Sequence, residues 1–325
     1  MFYNDFAIDL GTANILISIK NHGIVLREPS IMAFDNEGVP IGMGREAWEI
    51  HEKTHNNIRT IRPLRDGVIA DFEAAEHMIR GMIKSVKTRW YTRTRQMVVC
   101  VPSGITEVER QAVRSSAQHA GATKVFLVDE PMAAAIGIGI NIHEPVGRMV
   151  VDIGGGTAEI AVIALSEVMH AQSVRIAGDR FNEDIITYFR RNLNMLISER
   201  MAEVVKCEIG SAAPLDEELK MNIKGRDLVS GIPKTAEVTS QEVREAIEQS
   251  VGMVIQSVVK SLEQTPPQLA ADIVDHGIML AGGGALLKNL DTCITEVTGL
   301  PVHIADDPLT AVIRGTSAVL DKIDY

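Results

Sequence analysis

Cysteine, aromatic residues and unbroken apolar stretches are all scarce in this 325-residue chain. Its three cysteines, Cys100, Cys207 and Cys293, lie far apart without metal-ligand spacing, so neither a disulfide framework nor a thiolate zinc site is expected. No stretch stays apolar for the roughly 20 residues that span a bilayer. The start Met1-Phe2-Tyr3-Asn4-Asp5 also lacks a signal-peptide pattern, and a cytoplasmic protein is expected. Positive charge is short as well: 32 Lys and Arg against 43 Asp and Glu leave a net charge of −11, which excludes generic nucleic-acid binding through phosphate neutralisation. Two common nucleotide signatures are missing, since no Gly-Lys-Ser/Thr closes a Walker loop and no G-x-G-x-x-G spacing occurs.

What the chain does have is glycine at strand ends. Met149-Val150-Val151-Asp152-Ile153 reads as a strand and runs into Gly154-Gly155-Gly156-Thr157, while Phe6-Ala7-Ile8-Asp9-Leu10 runs into Gly11-Thr12-Ala13-Asn14. Glycine permits positive φ and brings bare N–H groups close to phosphate oxygens; Thr12, Asn14 and Thr157 add side-chain donors. Each hairpin carries one carboxylate, Asp9 or Asp152, and two acids beside a polyphosphate call for a divalent cation, Mg²⁺ by its preference for oxygen ligands and water. One glycine turn alone is ordinary hairpin chemistry; two of one design point to a duplicated nucleotide fold. A third cluster, Gly277 to Leu287, reads as a buried strand, a glycine turn and a helix start, with Gly282, Gly283, Gly284, Ala285 and Leu286 placed to take an adenosine unit.

Apolar strand runs at 6–10, 15–19, 97–101, 125–128, 149–153, 159–165 and 278–281 alternate with helical periodicity at 71–87, 106–120, 181–193 and 240–263. Thr106-x-x-Glu109 predicts a capping box. The class is α/β with helices on mixed sheets, and the length calls for two domains. Lys84 to Arg95 places five cations around Trp90-Tyr91, a composition suited to an anionic membrane surface; the less favoured reading is that the two aromatics cap the core where the helix meets the strand at Met97.

The ordered set of two phosphate hairpins and a late glycine turn resembles the actin, sugar-kinase and DnaK-type ATPase superfamily. Ile24-Val25-Leu26-Arg27-Glu28-Pro29-Ser30, the run Ile61 to Asp71, Val101-Pro102-Ser103-Gly104-Ile105-Thr106-Glu107-Val108-Glu109-Arg110 and Thr265 to Ile273 resemble the MreB family of bacterial actins, a likeness reaching from about residue 6 to about 320. The resemblance implies an actin-like ATPase fold: two RNase H-like domains flanking a nucleotide cleft, in four subdomains. These would be 1–32, 66–140 and 311–325 (IA), 33–65 (IB), 141–178 and 243–310 (IIA) and 179–242 (IIB). It implies ATP and Mg²⁺ as cofactors, with Asp9 and Asp152 holding the metal mostly through water and Glu130 and Thr157 positioning the attacking water. Glu203 and Lys206, three apart on one helix face, would reach ribose and base; without the family they read as a surface ion pair. The small residues near Pro131 to Gly137 would form a hinge, and Trp90 and Tyr91 a membrane-inserting loop.

The expected activity is slow ATP hydrolysis coupled to polymerisation. The expected partners are further copies of the chain as paired protofilaments, the inner face of the cytoplasmic membrane, and RodZ-like and MreC/MreD-like proteins of the cell-wall elongation machinery that maintains rod shape. A small-molecule kinase of the same superfold is the alternative, although no segment resembles a sugar pocket. Departures from the family pattern include Asp129 for Glu, Ala158 for Thr, Ser166-Glu167 for a glycine pair, Met201 and Val204 for polar residues, and Arg314 at a usually apolar position.

Overall fold

The computed structural model describes residues 3–53, 57–86 and 93–323. In chain order the first half comprises β1 (Tyr3–Leu10), β2 (Asn14–Ile19), β3 (Gly23–Pro29), β4 (Met32–Asp35), β5 (Pro40–Met43), α1 (Arg45–Ile50), β6 (Ile58–Ile61), β7 (Leu64–Arg65), β8 (Val68–Ile69), α2 (Phe72–Val86), β9 (Arg93–Val101), α3 (Glu107–His119), β10 (Lys124–Asp129) and α4 (Glu130–Gly137). The second comprises β11 (Arg148–Ile153), β12 (Ala158–Ala164), β13 (Glu167–Val174), α5 (Gly178–Asn192), β14 (Met195–Leu196), α6 (Glu199–Ile209), β15 (Lys220–Asp227), β16 (Pro233–Thr239), α7 (Ser240–Glu263), α8 (Pro267–His276), β17 (Ile278–Ala281), α9 (Leu290–Thr298), β18 (Val302–Ile304) and α10 (Ala311–Lys322). Short 3₁₀ turns occupy Gly283–Leu286 and Pro308–Thr310.

Two five-stranded sheets repeat one topology, β3-β2-β1-β9-β10 and β13-β12-β11-β17-β18. In each, three antiparallel strands are followed by two that run parallel to the first. The largely apolar strands β2 and β12, interrupted by Ser18 and Glu159, are buried almost along their length, as expected where both faces of a sheet are covered. Two small three-stranded sheets, β5-β4-β6 and β14-β15-β16, are inserted one into each half.

The first sheet packs on α2 and α3 through Phe6, Ile8, Ile15, Ile17, Met78, Met82 and Val99. The second packs on α5 and α7 through Val151, Ile160, Val162, Phe181, Ile185, Ile247 and Val254. Between the halves lies a third cluster of small side chains, including Cys100, Ala133, Ala134, Ala135, Ala161, Ala281 and Ala311. Here α4 crosses α10 with backbones nearly touching. A Cβ on Gly137 would lie 1.8 Å from the Ala311 carbonyl oxygen, and one on Gly315 would lie 1.8 Å from that of Ala133. Only glycine fits either position.

The capping box forms: Thr106 Oγ1 accepts from Glu109 N at 3.2 Å, and Glu109 Oε2 accepts from Thr106 N at 2.6 Å. The expected helix at 181–193 instead starts at Gly178, because its first turn is tied to the second glycine hairpin: Gly178 N donates to Gly154 O (3.1 Å) and Asp179 N to Gly155 O (2.7 Å). The hairpin turn at Leu165-Ser166 has φ of 53° and 65°, left-handed values held without glycine. Arg314, at a position usually apolar in the family, is half-buried and donates to the Asp307 carbonyl at 3.2 Å.

Candidate functional site

The turns after β1 and β11 meet tip to tip between the two large sheets. A Cβ on Gly155 would come within 2.6 Å of Ala13 Cβ, and one on Gly156 within 2.7 Å of Thr12 Oγ1. Above this contact opens a cavity of about 410 Å³ lined by both hairpins, by Glu130 at the start of α4, and by α5, α6 and the Gly282–Leu286 turn. That volume lies in the range of small-molecule sites.

Of the residues singled out from sequence, Asp9, Gly11, Thr12, Ala13, Asn14, Glu130, Asp152, Gly154, Gly155, Gly156, Thr157, Glu203, Lys206, Gly282, Gly283, Gly284 and Leu286 all line this cavity. Ala285 does not; it is fully buried in the core of the second half. Trp90 and Tyr91 lie outside the described residues. The glycines at 282 and 284 answer a packing demand: a Cβ on Gly282, whose φ is 77°, would sit 2.3 Å from Asp152 Oδ1, and one on Gly284 would sit 2.2 Å from Ile153 Cγ2. They let the third turn close onto the end of β11, which aims Asp152 into the cavity.

Three buried acids, Asp9, Asp152 and Glu130, dominate the electrostatics at the meeting of the hairpins, while Arg27 and Lys206 are the cations that line the cavity among the described residues. Burial raises Asp9 to about 7. Burial, then repulsion from Asp9 and Glu159, raises Asp152 to about 8. Glu130 is pushed well above the ordinary carboxylate range by burial and by Glu159, Asp152, Asp9 and Asp129. Such a set of oxygen donors fits a cation. Among the described residues no three His, Cys, Asp or Glu side chains are arranged to coordinate an ion by themselves, so the pair Asp9 and Asp152 suits a hydrated ion that completes its shell with water and phosphate.

Glu203 and Lys206 form more than a surface pair. Lys206 Nζ lies 2.7 Å from Glu203 Oε2 and donates to the Gly178 carbonyl at 3.0 Å, and Asn182 Nδ2 donates to Glu203 at 2.7 Å. Burial raises the Glu203 carboxyl, but Lys206 and these hydrogen bonds outweigh it and hold the group below its usual range. The site thus presents a charged handle on α6 beside the phosphate-type turns.

Several contributors had no clear sequence signal. Gly67, in the Asp66-Gly67 turn, has φ 76° and donates its N–H to Thr12 Oγ1 at 3.1 Å; a Cβ there would be 2.9 Å from Thr157 Cγ2. Gly178 and Asp179 line the cavity through backbone ties that no local pattern announces. Glu159, buried and outside the cavity lining, accepts from Ser103 N (3.2 Å), Ser103 Oγ (2.5 Å) and Ser173 Oγ, joining the two halves. Asp129, by contrast, is occupied by Arg110 at 2.7 Å and anchors α3.

The profile of the MreB/Mbl protein family matches residues 3–325. The chain belongs to the MreB/Mbl family. It is 51% identical to the cell shape-determining protein MreB of Escherichia coli (strain K12), covering 100% of this chain and 95% of that one. It is 44% identical to the cell shape-determining protein Mbl of Bacillus subtilis (strain 168), covering 100% and 98%. Among solved structures, MreB5 of Spiroplasma citri bound to AMPPNP superposes with a TM-score of 0.93 at 39% identity, covering 98% of this chain and 96% of that one. The same protein has been solved bound to ADP, with a TM-score of 0.93 at 40% identity and coverage of 97% and 95%. The α/β architecture described above is therefore the actin-like fold of the MreB/Mbl family, and membership removes the reason for the kinase alternative.

Proposed function

We propose that this chain is an ATP-driven cytoskeletal protein that binds and hydrolyses ATP, polymerises into filaments of its own copies on the inner face of the cytoplasmic membrane, and organises cell-wall synthesis to maintain rod shape. The observation that carries the reading is the acid-lined cavity between two glycine hairpins in a member of the MreB/Mbl family. The nucleotide-bound structures of MreB5 of Spiroplasma citri support ATP as the ligand.

In this reading the bare N–H groups of Gly11–Asn14 and Gly154–Thr157 take the phosphates, and Glu203 and Lys206 take the ribose end. Asp9 and Asp152 would hold a hydrated Mg²⁺, which neutralises phosphate charge when bound. Glu130 and Thr157 orient the attacking water. Glu130 lines the cavity from the start of α4, where its carboxylate can receive a proton as the water attacks. RodZ-like and MreC/MreD-like adaptors complete the assembly.

Electron microscopy and sedimentation of the purified chain with Mg-ATP, with and without anionic liposomes, test this. Pelletable filaments that require nucleotide are expected. Their absence across nucleotides, cations and salt would overturn the cytoskeletal reading.

A further inference from the structure

Away from the glycine hairpins, a set of interlocking charges among the described residues joins the β5-β4-β6 unit to the beginnings of α5 and α6. Glu52, just after α1, has φ 63°, and its carboxylate reaches across to accept from Glu199 N at 2.7 Å and Arg200 N at 3.4 Å. Those amides belong to the first turn of α6 and have no partner within the helix; Ser198 Oγ takes the next free one, Met201 N, at 3.1 Å. Arg62, following β6, lies 2.7 Å from Glu199 Oε1 and 3.4 Å from Asp179 Oδ2. Its guanidinium sits over the Trp48 ring at 5.6 Å, and Trp48 stacks on His51, whose Nε2 is 3.6 Å from Glu199 Oε2.

Two properties separate this cluster from ordinary surface ion pairs. The side chains of Arg62, His51, Asp179 and Glu199 are only 18–28% exposed, so solvent screens them weakly. The cluster is also wired to the cavity. Asp179 lines it and donates its own N–H to the Gly155 carbonyl at 2.7 Å, so a single residue separates Arg62 on one side from the second glycine hairpin on the other.

We infer that Arg62, His51 and Glu52 on one lip, and Asp179, Glu199 and the first turn of α6 on the other, form a latch that must part before nucleotide leaves and that sets its rate of release. The inference rests on the nucleotide reading of the cavity. Arg62 acts as a positioning residue: it holds Asp179, and through it the Gly155 turn, in the closed arrangement. Loss of Arg62 leaves Asp179 and Glu199 without this counter-charge in a poorly solvated place, and loss of Glu52 leaves the Glu199 and Arg200 amides without their acceptor; either favours the open state.

The test uses the full chain loaded with N-methylanthraniloyl-ATP and Mg²⁺ and chased with unlabelled ATP. Arg62→Ala, Glu52→Ala and Glu199→Ala are each expected to speed release about tenfold or more, with Arg62→Ala/Glu199→Ala far from additive because both break one contact. Hydrogen exchange on nucleotide-free protein supplies a readout independent of the ligand: in Glu52→Ala, exchange of the amides at Glu199 and Arg200 should rise. Variants that melt like the wild type yet release nucleotide at its rate overturn the latch, and so does unchanged amide exchange. A wild-type chain that retains no labelled nucleotide would instead overturn the reading of the cavity, leaving the amide exchange to decide whether the lips are joined.

Discussion

Asp9 and Asp152 are carboxyl groups held where burial favours their protonated forms. Their unfolded values lie near 3.8, and their folded values near 7 and 8, so between those limits the folded chain binds more protons than the unfolded one. Stability without cation therefore falls as pH rises through this window, and the loss is complete above about 8. Melting of the metal-free chain should show this slope, and Asp9→Asn with Asp152→Asn should flatten it. The gain in melting temperature from Mg²⁺ with nucleotide should be larger at about pH 8 than at about pH 6, because the ion binds the carboxylate forms. In the proposed mechanism Glu130→Gln keeps shape and removes the group that would accept the water's proton; steady-state phosphate release is then expected to fall by about 10²-fold or more while nucleotide affinity stays close to that of the wild type. Leu165 and Ser166, both left-handed, are a separate residue-scale case. Leu165→Asn with Ser166→Gly should raise the urea midpoint, corresponding to about 1–2 kcal/mol.

Among elements, the crossing of α4 and α10 leaves no room for a side chain at Gly137 or Gly315. Gly137→Ala and Gly315→Ala improve helix propensity but drive a methyl into a carbonyl oxygen, and a net loss of about 1–3 kcal/mol is expected in denaturant titrations of either variant. Half of this crossing was readable: the small residues from Pro131 to Gly137 announce close packing, whereas nothing in Ala311 to Gly315 says which helix it meets. The same division recurs elsewhere. Strand β12 and the Thr106 capping box are local patterns and appear where the sequence puts them. The start of α5 at Gly178 depends on bonds to Gly154 and Gly155, two dozen residues upstream, and the periodic apolar face begins only later, at Phe181. The glycines of 282–284 were legible as a turn, but the demand they satisfy, room for Asp152 and Ile153, belongs to a neighbouring strand.

At the scale of the whole molecule, family membership was open to sequence because its motifs run along the entire chain, while the cross-cleft contacts of Arg62 and Glu52 were not, since they join segments more than a hundred residues apart. Trp90→Ala/Tyr91→Ala should reduce co-sedimentation of filaments with anionic liposomes without reducing filament mass in solution, as expected if these aromatics rather than the polymer contacts meet the lipid. Retention on liposomes would move the membrane contact elsewhere on the chain.

The meeting of the two glycine hairpins has a further meaning. Aligning Asp9 with Asp152 puts Thr12 on Gly155 and Ala13 on Gly156, and the contacts are Gly155 with Ala13 and Gly156 with Thr12. Each position touches the counterpart of its partner's position, the reciprocal rule of a two-fold isologous interface, here written within a single chain. A floor of that kind has no preferred direction, whereas a nucleoside triphosphate does. In the nucleotide reading of the cavity, the heading of the ligand would be set by side chains that the other half does not repeat, such as Glu203 and Lys206 on α6, so removing those side chains would alter orientation before it abolished binding.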